Sequence, residues 1–396
     1  MALATLFLTL IFSFWIPMRK LLYFALPLIL AGCSREFVEK IYDVNYEPTS
    51  RFAAHNLAPM PGQFEKDTDA LDALMNSFTG DIEKKWGKDQ VKVAGKSNYV
   101  KYIDNYDSRA DVNFSTGKIV IETIASDDPK AHLKTAIITT LLTPDDPAHV
   151  DLFSSSNIKL KGEPFLYQQV VDQDNKAIQW NWRANRFADY LIAHKMKTKK
   201  VDFKIAHYVE IPMVSSHSNV RSYKYANIVR KASQRYDIPE DLIYAIIRTE
   251  SSFNPYAVSW ANAYGLMQVV PKTAGADVFK LIKHKSGMPS PEYLFNPENN
   301  IDVGTAYFHI LRTRYLRDVK NFLSLEYAMI SAYNGGTGGV LNTFDRNSRN
   351  NAMRHINSLN PSQVFWALTH KHPNAESRRY LEKVTQYKRE FNQSKG

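Results

Sequence analysis

Leu242, Ile243, Ile246 and Ile247 recur at the three-to-four spacing of a helix with one buried face, and this stripe predicts a helix beginning after Asp237 and Pro239. Both are start signals, proline being tolerated where its missing N–H goes unused. Glu250 continues the stripe, so a carboxylate stands where an apolar side chain is due. Desolvation disfavours the charged form, and a Glu packed this way is expected to hold a proton near neutrality, as a general acid must. The plainer reading of Glu250 is the exposed end of a helix. Ser251, Ser252, Asn254 and Pro255 terminate that helix, because residues before a proline avoid the helical region.

The same patterning divides the rest of the chain. Leu71, Leu74, Phe78, Ile82 and Trp86 mark an amphipathic helix from Asp69 to Trp86. Tyr99 to Tyr106 is strand-like, and Phe114, then Ser115-Thr116-Gly117, then Ile119, Ile121 and Ile124 predict a hairpin. Helices are expected over Ala131 to Leu142 and Asn185 to Lys195, and strands over Phe165 to Val171 and Phe203 to Ile211. Trp180 and Trp182 read as packing residues or as sugar-stacking ones. The basic run Lys195, Lys197, Lys199 and Lys200 reads as a solvated face. Pro212 to Asn219 is a polar, Ser-rich link and the expected domain boundary. Beyond it the pattern is helical: Tyr223 to Tyr236, Val303 to Leu316, Ser324 to Tyr333 with Gly335 suited to a left-handed cap, a helix opened by Pro361, and a last one lined by Tyr380, Leu381, Val384, Tyr387 and Phe391. The fold class is α+β, an amino-terminal mixed α/β domain over 66–212 followed by a mainly helical domain over 220–396.

Length and composition fit this division. The chain of 396 residues has room for two domains, and 44% hydrophobic with 23% charged residues argues against extensive disorder. The net charge of +10 points to a polyanionic partner. Nucleic acid is disfavoured, since the sequence has no zinc-ligand spacing, P-loop or aromatic and basic RNA motif. A wall polymer with peptide carboxylates or an anionic membrane explains the charge equally well. One Cys excludes an intramolecular disulfide, and no ligand set for a metal or cofactor is evident, so none is expected.

Met18, Arg19 and Lys20 precede the apolar run Leu21 to Leu30 and the small residues Ala31 and Gly32, the layout of a secretory signal peptide over 1–33 that is too short for a membrane span. Leu30-Ala31-Gly32-Cys33 resembles the lipobox of bacterial lipoproteins, which implies lipidation of Cys33 as a membrane anchor. Ser34 after it, in place of Asp, implies the outer membrane, with the chain facing the periplasm. Met1 to Pro17 adds a second apolar segment without a basic region, and the expected start of translation is Met18. Residues 34–65, with Pro48, Pro59 and Pro61, read as a tether.

Four motifs stand in order over about 130 residues: E-S-S-F-N-P-x-A-V-S from Glu250, G-L-M-Q from Gly265, A-Y-N-G-G from Ala332 and E-S-R-R-Y from Glu376. Together they resemble the catalytic domain of the soluble lytic transglycosylase family, which has a lysozyme-like fold. The amino-terminal half narrows the resemblance to that family's membrane-bound lytic murein transglycosylase C branch. The resemblance implies cleavage of the β-1,4 bond between N-acetylmuramic acid and N-acetylglucosamine in peptidoglycan glycan strands, leaving 1,6-anhydromuramoyl ends, in wall turnover, remodelling and division. It makes Glu250 the single catalytic carboxylate. Asp277, Asp302, Glu326 and Asp345 have no neighbourhood marking them as a second one.

The resemblance also implies that Ser251 and Ser259 lie at the acid, Ser259 by a hydrogen bond to its carboxylate. Met267 and Gln268 would line the cleft, Val270 would form a wall where relatives carry a bulkier residue, Tyr333 and Asn334 would contact sugar, and Tyr380 would approach the acid. Read without it, Tyr333 is helix-face core, Asn334 and Gly335 are a cap, and Tyr380 is packing. Two rival functions stay open on the residues alone: a goose-lysozyme-like muramidase that admits water, and a silent lipid-anchored wall-binding protein.

Overall fold

The computed structural model describes residues 76–259 and 262–394, so Cys33, the signal segment, the tether and residues 69–75 of the first expected helix lie outside the described residues. The described residues fall within one compact unit. Its first half opens with a helix, α1, over residues 76–86, whose Phe78, Ile82 and Trp86 are buried as their spacing requires.

Three antiparallel strands follow, β1 (Asn98–Ile103), β2 (Ser108–Asn113) and β3 (Lys118–Thr123). The hairpin at Ser115-Thr116-Gly117 forms as its turn residues predict, with Gly117 at φ 68. Helix α2 (Pro129–Leu142) packs across the sheet and α3 (Asn181–His194) packs on α2. Then β4 (Lys197–Val201) and β5 (Lys204–Pro212) complete a five-stranded sheet in the order β1-β2-β3-β5-β4. At its centre Arg109 and Glu122 stand directly opposite across β2 and β3, Nε donating to Oε1 at 2.8 Å, with the guanidinium 3.7 Å from the Trp86 ring centroid. Both are wholly buried, which a pair of ions tolerates only when partnered in this way.

The lysine run is solvated as expected, and Lys197, Lys199 and Lys200 lie on the edge strand β4, where lysines discourage further pairing. Several expectations are corrected here. Phe165 to Val171 is a turn, not a strand, since Gln168 sits at φ 62 and Gln169 Nε2 folds back onto the Phe165 carbonyl. Trp180 and Trp182 are exposed, at 61% and 56%, and are not part of the core, the Arg183 guanidinium lying 4.5 Å from the Trp182 ring centroid.

The second half is helical. The Ser-rich link already turns into α4 (His217–Lys224), and a break at buried Tyr225 separates it from α5 (Ala226–Tyr236), where one helix was expected. Asp237 caps the end of α5 at φ 52 and does not start the next helix; Pro239 alone precedes α6 (Glu240–Ser251). Short helices α7 (Ala276–Leu281) and α8 (Pro291–Phe295) lead to α9 (Pro297–Ile310), which starts at its Asn296 cap and ends in a wider turn over Leu311–Tyr315. Helix α10 (Phe322–Phe344) is broken at Gly336, φ 75, one residue beyond the glycine expected to cap it, and then continues. The remaining helices are α11 (Arg349–Ser358), which no sequence signal marked, α12 (Pro361–His370) and α13 (Ala375–Ser394).

The two halves are joined by the loop that follows α6. Arg221 of α4, only 4% exposed, donates from Nη2 to the Phe114 carbonyl at 2.8 Å, from Nη1 to Gln169 Oε1 at 2.6 Å and from Nε to the Ser252 carbonyl at 3.1 Å. Burial pushes its guanidinium down to about 10, with Tyr225 acting the other way. Asn254 Nδ2 donates to the Lys96 carbonyl at 3.1 Å, and the Tyr256 hydroxyl to the Pro144 carbonyl. The Tyr256 ring meets Tyr99 and Phe165, centroids 5.1 and 5.6 Å away.

Replacing Arg221 by Met strands the buried Phe114 and Gln169 acceptors, each worth about 1–3 kcal/mol, and the part-buried Ser252 carbonyl. The expected result is a lower urea midpoint, and an unchanged midpoint would show that this clamp contributes nothing. A second prediction concerns pH. Lys101, buried and donating to the Ser154 carbonyl at 2.7 Å, has its ammonium lowered from the ordinary 10.5 to about 8, by desolvation first and with Asp151 opposing. Between these values the unfolded chain binds the extra proton, so this group makes stability rise with pH, by about 3 kcal/mol in all and with the full penalty present below pH 8. Unfolding of Lys101→Met from pH 7.5 to 9.5 should lack that slope.

Candidate active site

Helix α6 presents Leu242, Ile243, Ile246 and Ile247 to the core, each contributing about 1.5–3 kcal/mol by burial. Glu250 comes next on the same face and is 6% exposed, as the stripe predicted. A carboxyl in that place must be partnered. The Tyr380 hydroxyl on α13 donates to Glu250 Oε1 at 2.7 Å. Burial pushes both the Tyr380 and the Tyr333 hydroxyls well above their ordinary pKa, and the nearby Glu250 charge pushes each further. Three elements thus converge on the acid: the end of α6, the start of α13 and the middle of α10.

A short loop carrying G-L-M-Q closes the circuit. Ser251 Oγ donates to the Leu266 carbonyl at 2.8 Å and to the Ile247 carbonyl at 3.0 Å, so this serine fastens the loop to α6. Tyr333 donates to the Met267 carbonyl at 2.8 Å while its ring stacks on Phe308, centroids 4.6 Å apart. Asn300 of α9 accepts from the Met267 N–H at 2.8 Å and donates to the Tyr264 and Leu294 carbonyls at 2.7 and 2.8 Å. No sequence signal pointed to Asn300, since a buried Asn with three backbone partners looks like any polar residue of a helix.

The side chains expected at the site do not all face it. Met267 is wholly buried against Gly304, whose missing Cβ makes room for its sulfur, so the expectation that it lines the cleft is corrected: it anchors the loop. Ser259 does not form the hydrogen bond expected to the Glu250 carboxylate; its Oγ is buried without a partner, and Tyr380 bonds the acid instead. Gln268 spends Nε2 on the Gly265 carbonyl at 3.0 Å and leaves Oε1 buried without a partner. Val270 is partly exposed at the head of the turn Pro271–Gly275. Asn334 is partly exposed, accepting from Ser377 Oγ at 2.7 Å and donating to Glu376 Oε1 at 3.3 Å, which explains the E-S of the last motif. Among the described residues no cluster of three or more potential metal ligands occurs.

Gly265 has φ 68, and a Cβ there would lie 2.5 Å from Asn300 Nδ2 and 2.6 Å from the Leu294 carbonyl oxygen. Gly265→Ala is therefore expected to destabilise the chain by at least about 2 kcal/mol, the left-handed backbone alone accounting for about 1–2 kcal/mol. Urea unfolding checks this, and a variant as stable as the parent would show that the close approach to Asn300 is not needed.

Residues 64–224 match the family model described as membrane-bound lytic murein transglycosylase C, N-terminal domain, and residues 227–356 match the transglycosylase SLT domain. Proteins named membrane-bound lytic murein transglycosylase C from Yersinia pestis (strain Pestoides F) and Yersinia pseudotuberculosis (serotype O:1b, strain IP 31758) are 51% identical over 329 residues, 83% of this chain and 91% of theirs. Among solved structures, the chain is similar to an inactive mutant of the lytic transglycosylase Slt from Pseudomonas aeruginosa, at TM-score 0.33 and 24% identity. It is similar also to the 70 kDa soluble lytic transglycosylase from Escherichia coli, at TM-score 0.33 and 27% identity. In both cases 43% of this chain is covered, and it spans 24% of the other. With one domain model on each half and 51% identity over 329 residues to relatives of that name, the chain belongs to the membrane-bound lytic murein transglycosylase C family.

Proposed function

We propose that the chain is a peptidoglycan-cleaving lytic transglycosylase whose only catalytic carboxyl is Glu250. The observation that carries this reading is the buried Glu250 carboxyl held by the Tyr380 hydroxyl at 2.7 Å. Departure of a glycosidic oxygen needs a proton, and the developing oxocarbenium ion needs an electron donor. Burial favours the neutral acid, and the hydrogen bond donated by the Tyr380 phenol favours the carboxylate that remains once the proton has been delivered.

Glu250 protonates the oxygen bridging N-acetylmuramic acid and N-acetylglucosamine, and the bond from that oxygen to C1 breaks. The substrate's acetamido oxygen meets C1 from behind. Glu250, now ionised, takes the proton of the muramoyl C6 hydroxyl, whose oxygen bonds to C1 as the acetamido oxygen leaves it, giving a 1,6-anhydro end. The carboxyl returns to its starting state and no water is consumed, so the reaction is that of a lyase. Gln268 Oε1 and Ser259 Oγ, both buried and unpartnered, are acceptors that sugar hydroxyls or an acetamido N–H would satisfy. Asn334 and Val270, both partly exposed, contact the glycan, and Tyr333 holds the loop through the Met267 carbonyl. Cys33 carries lipid and tethers the chain to the outer membrane, facing the periplasm. Among the described residues no helix is long and apolar enough to cross a membrane.

Digestion of purified sacculi followed by mass spectrometry tests the reading. The parent chain is expected to release 1,6-anhydromuramoyl ends, and Glu250→Gln to lower the rate about 10²- to 10⁴-fold. Reducing ends in their place would identify a hydrolytic muramidase, and unchanged turnover in Glu250→Gln would remove Glu250 from the chemistry.

A further inference from the structure

Glu376, Tyr380, Lys383 and Tyr387 follow one another at intervals of four, three and four residues and so share one face of α13. Tyr380 is the residue that holds Glu250. Arg248, one half-turn before Glu250 on α6, lies over the Tyr387 ring with Cζ 3.9 Å from the centroid, and Lys383 Nζ approaches the same ring at 5.6 Å. At the other end of the face Lys96, in the segment preceding β1, reaches Glu376 Oε1 at 3.9 Å. Three cations from three segments therefore gather along this face, and Lys383 among them feels the charge of Glu250.

Two of them are engaged with carboxylates, Arg248 Nη1 with Glu390 at 2.7 Å and Lys96 with Glu376. Lys383 is exposed and, among the described residues, forms no ion pair. Desolvation pulls its pKa down, the Glu250 charge opposes this, and Lys96 and Arg248 add to it. An ammonium crowded by two other cations is relieved by an incoming carboxylate. This cation takes no part in the bond cleavage proposed above, since the acid, the acetamido group and the C6 hydroxyl carry every step. The sugars of peptidoglycan are uncharged, and its carboxylates lie on the peptide stems, which hang from the muramoyl residue whose C1 is attacked.

We infer that Lys383, supported by Lys96, recognises a carboxylate of the peptide stem on the muramoyl residue in the cleft, so that glycan with ionised stems is preferred over glycan whose stem carboxylates are amidated. This deepens the proposed function and rests on it. Lys383 and Lys96 thereby set specificity and leave bond cleavage to Glu250. Because Lys96 comes from the sheet half, that half takes part in reading the substrate.

The test compares kcat/KM of the full chain on uncrosslinked glycan strands bearing peptide stems and on the same strands with their stem carboxylates converted to amides. In Lys383→Gln the ratio between the two substrates is expected to fall about tenfold, the size of a lost hydrogen bond to a charged group. Lys96→Gln should lower it less, and Lys383→Arg should keep most of it, which also controls for folding. A ratio left unchanged in Lys383→Gln, whether both rates fall together or neither moves, overturns the inference while leaving the reaction intact. Absence of anhydromuramoyl product from the parent chain on both substrates overturns the reaction itself, and the inference with it.

Discussion

A carboxyl set into an apolar helix face, and met there by a phenol from the far end of the chain, is the constraint on which the rest of this structure depends. Glu250 gains nothing from burial on its own account, because desolvation opposes its charge. Its place in the stripe is supported by Leu242, Ile243, Ile246 and Ile247, whose burial holds the helix against the core. The Tyr380 hydroxyl then donates a hydrogen bond to its Oε1. Moving α13 away would leave a buried carboxyl short of a donor, so the last helix of the chain is needed to complete a site that begins at residue 250.

The loop after α6 shows how one motif serves two purposes. Its first residue is the acid and its second, Ser251, fastens the G-L-M-Q loop. Ser252, Asn254 and Tyr256 turn the other way and dock onto the sheet half, through Arg221, the Lys96 carbonyl and the Pro144 carbonyl. Backbone at Ser252 and Phe253 in the left-handed region makes that reversal, at φ 52 and 62. The sheet half is thus fixed to the residues that follow the acid, which is how Lys96 comes to stand beside Glu376 and Lys383.

Many elements were legible from period alone. The alternation around Ser115-Thr116-Gly117 gave the hairpin, and the stripes of α6 and α13 gave their buried faces, because side-chain direction follows from helix and strand geometry without reference to partners. Boundaries were less legible. Tyr225 and Gly336 interrupt runs that read as continuous or as finished, since what breaks them is the packing of the next element. The Phe165 segment failed as a strand because its aromatic residue packs against Tyr99 and Tyr256, giving a β-like composition to a turn. Arg349–Ser358 was missed because only a few of its residues, such as Ala352, Met353 and Ile356, are buried.

What the sequence determined by itself was local: which faces are apolar, where the chain turns, and that a carboxylate at position 250 occupies a buried place. Those follow from periodicity and turn chemistry, which act over a few residues. Who meets that carboxylate was decided only by the tertiary structure, where Tyr380 and not Ser259 makes the bond, and Met267 turns into the core while Gln268 keeps an acceptor in reserve. The Glu250–Tyr380 pairing joins residues 130 positions apart, and its strength depends on distance and burial, quantities that exist only once the chain has folded.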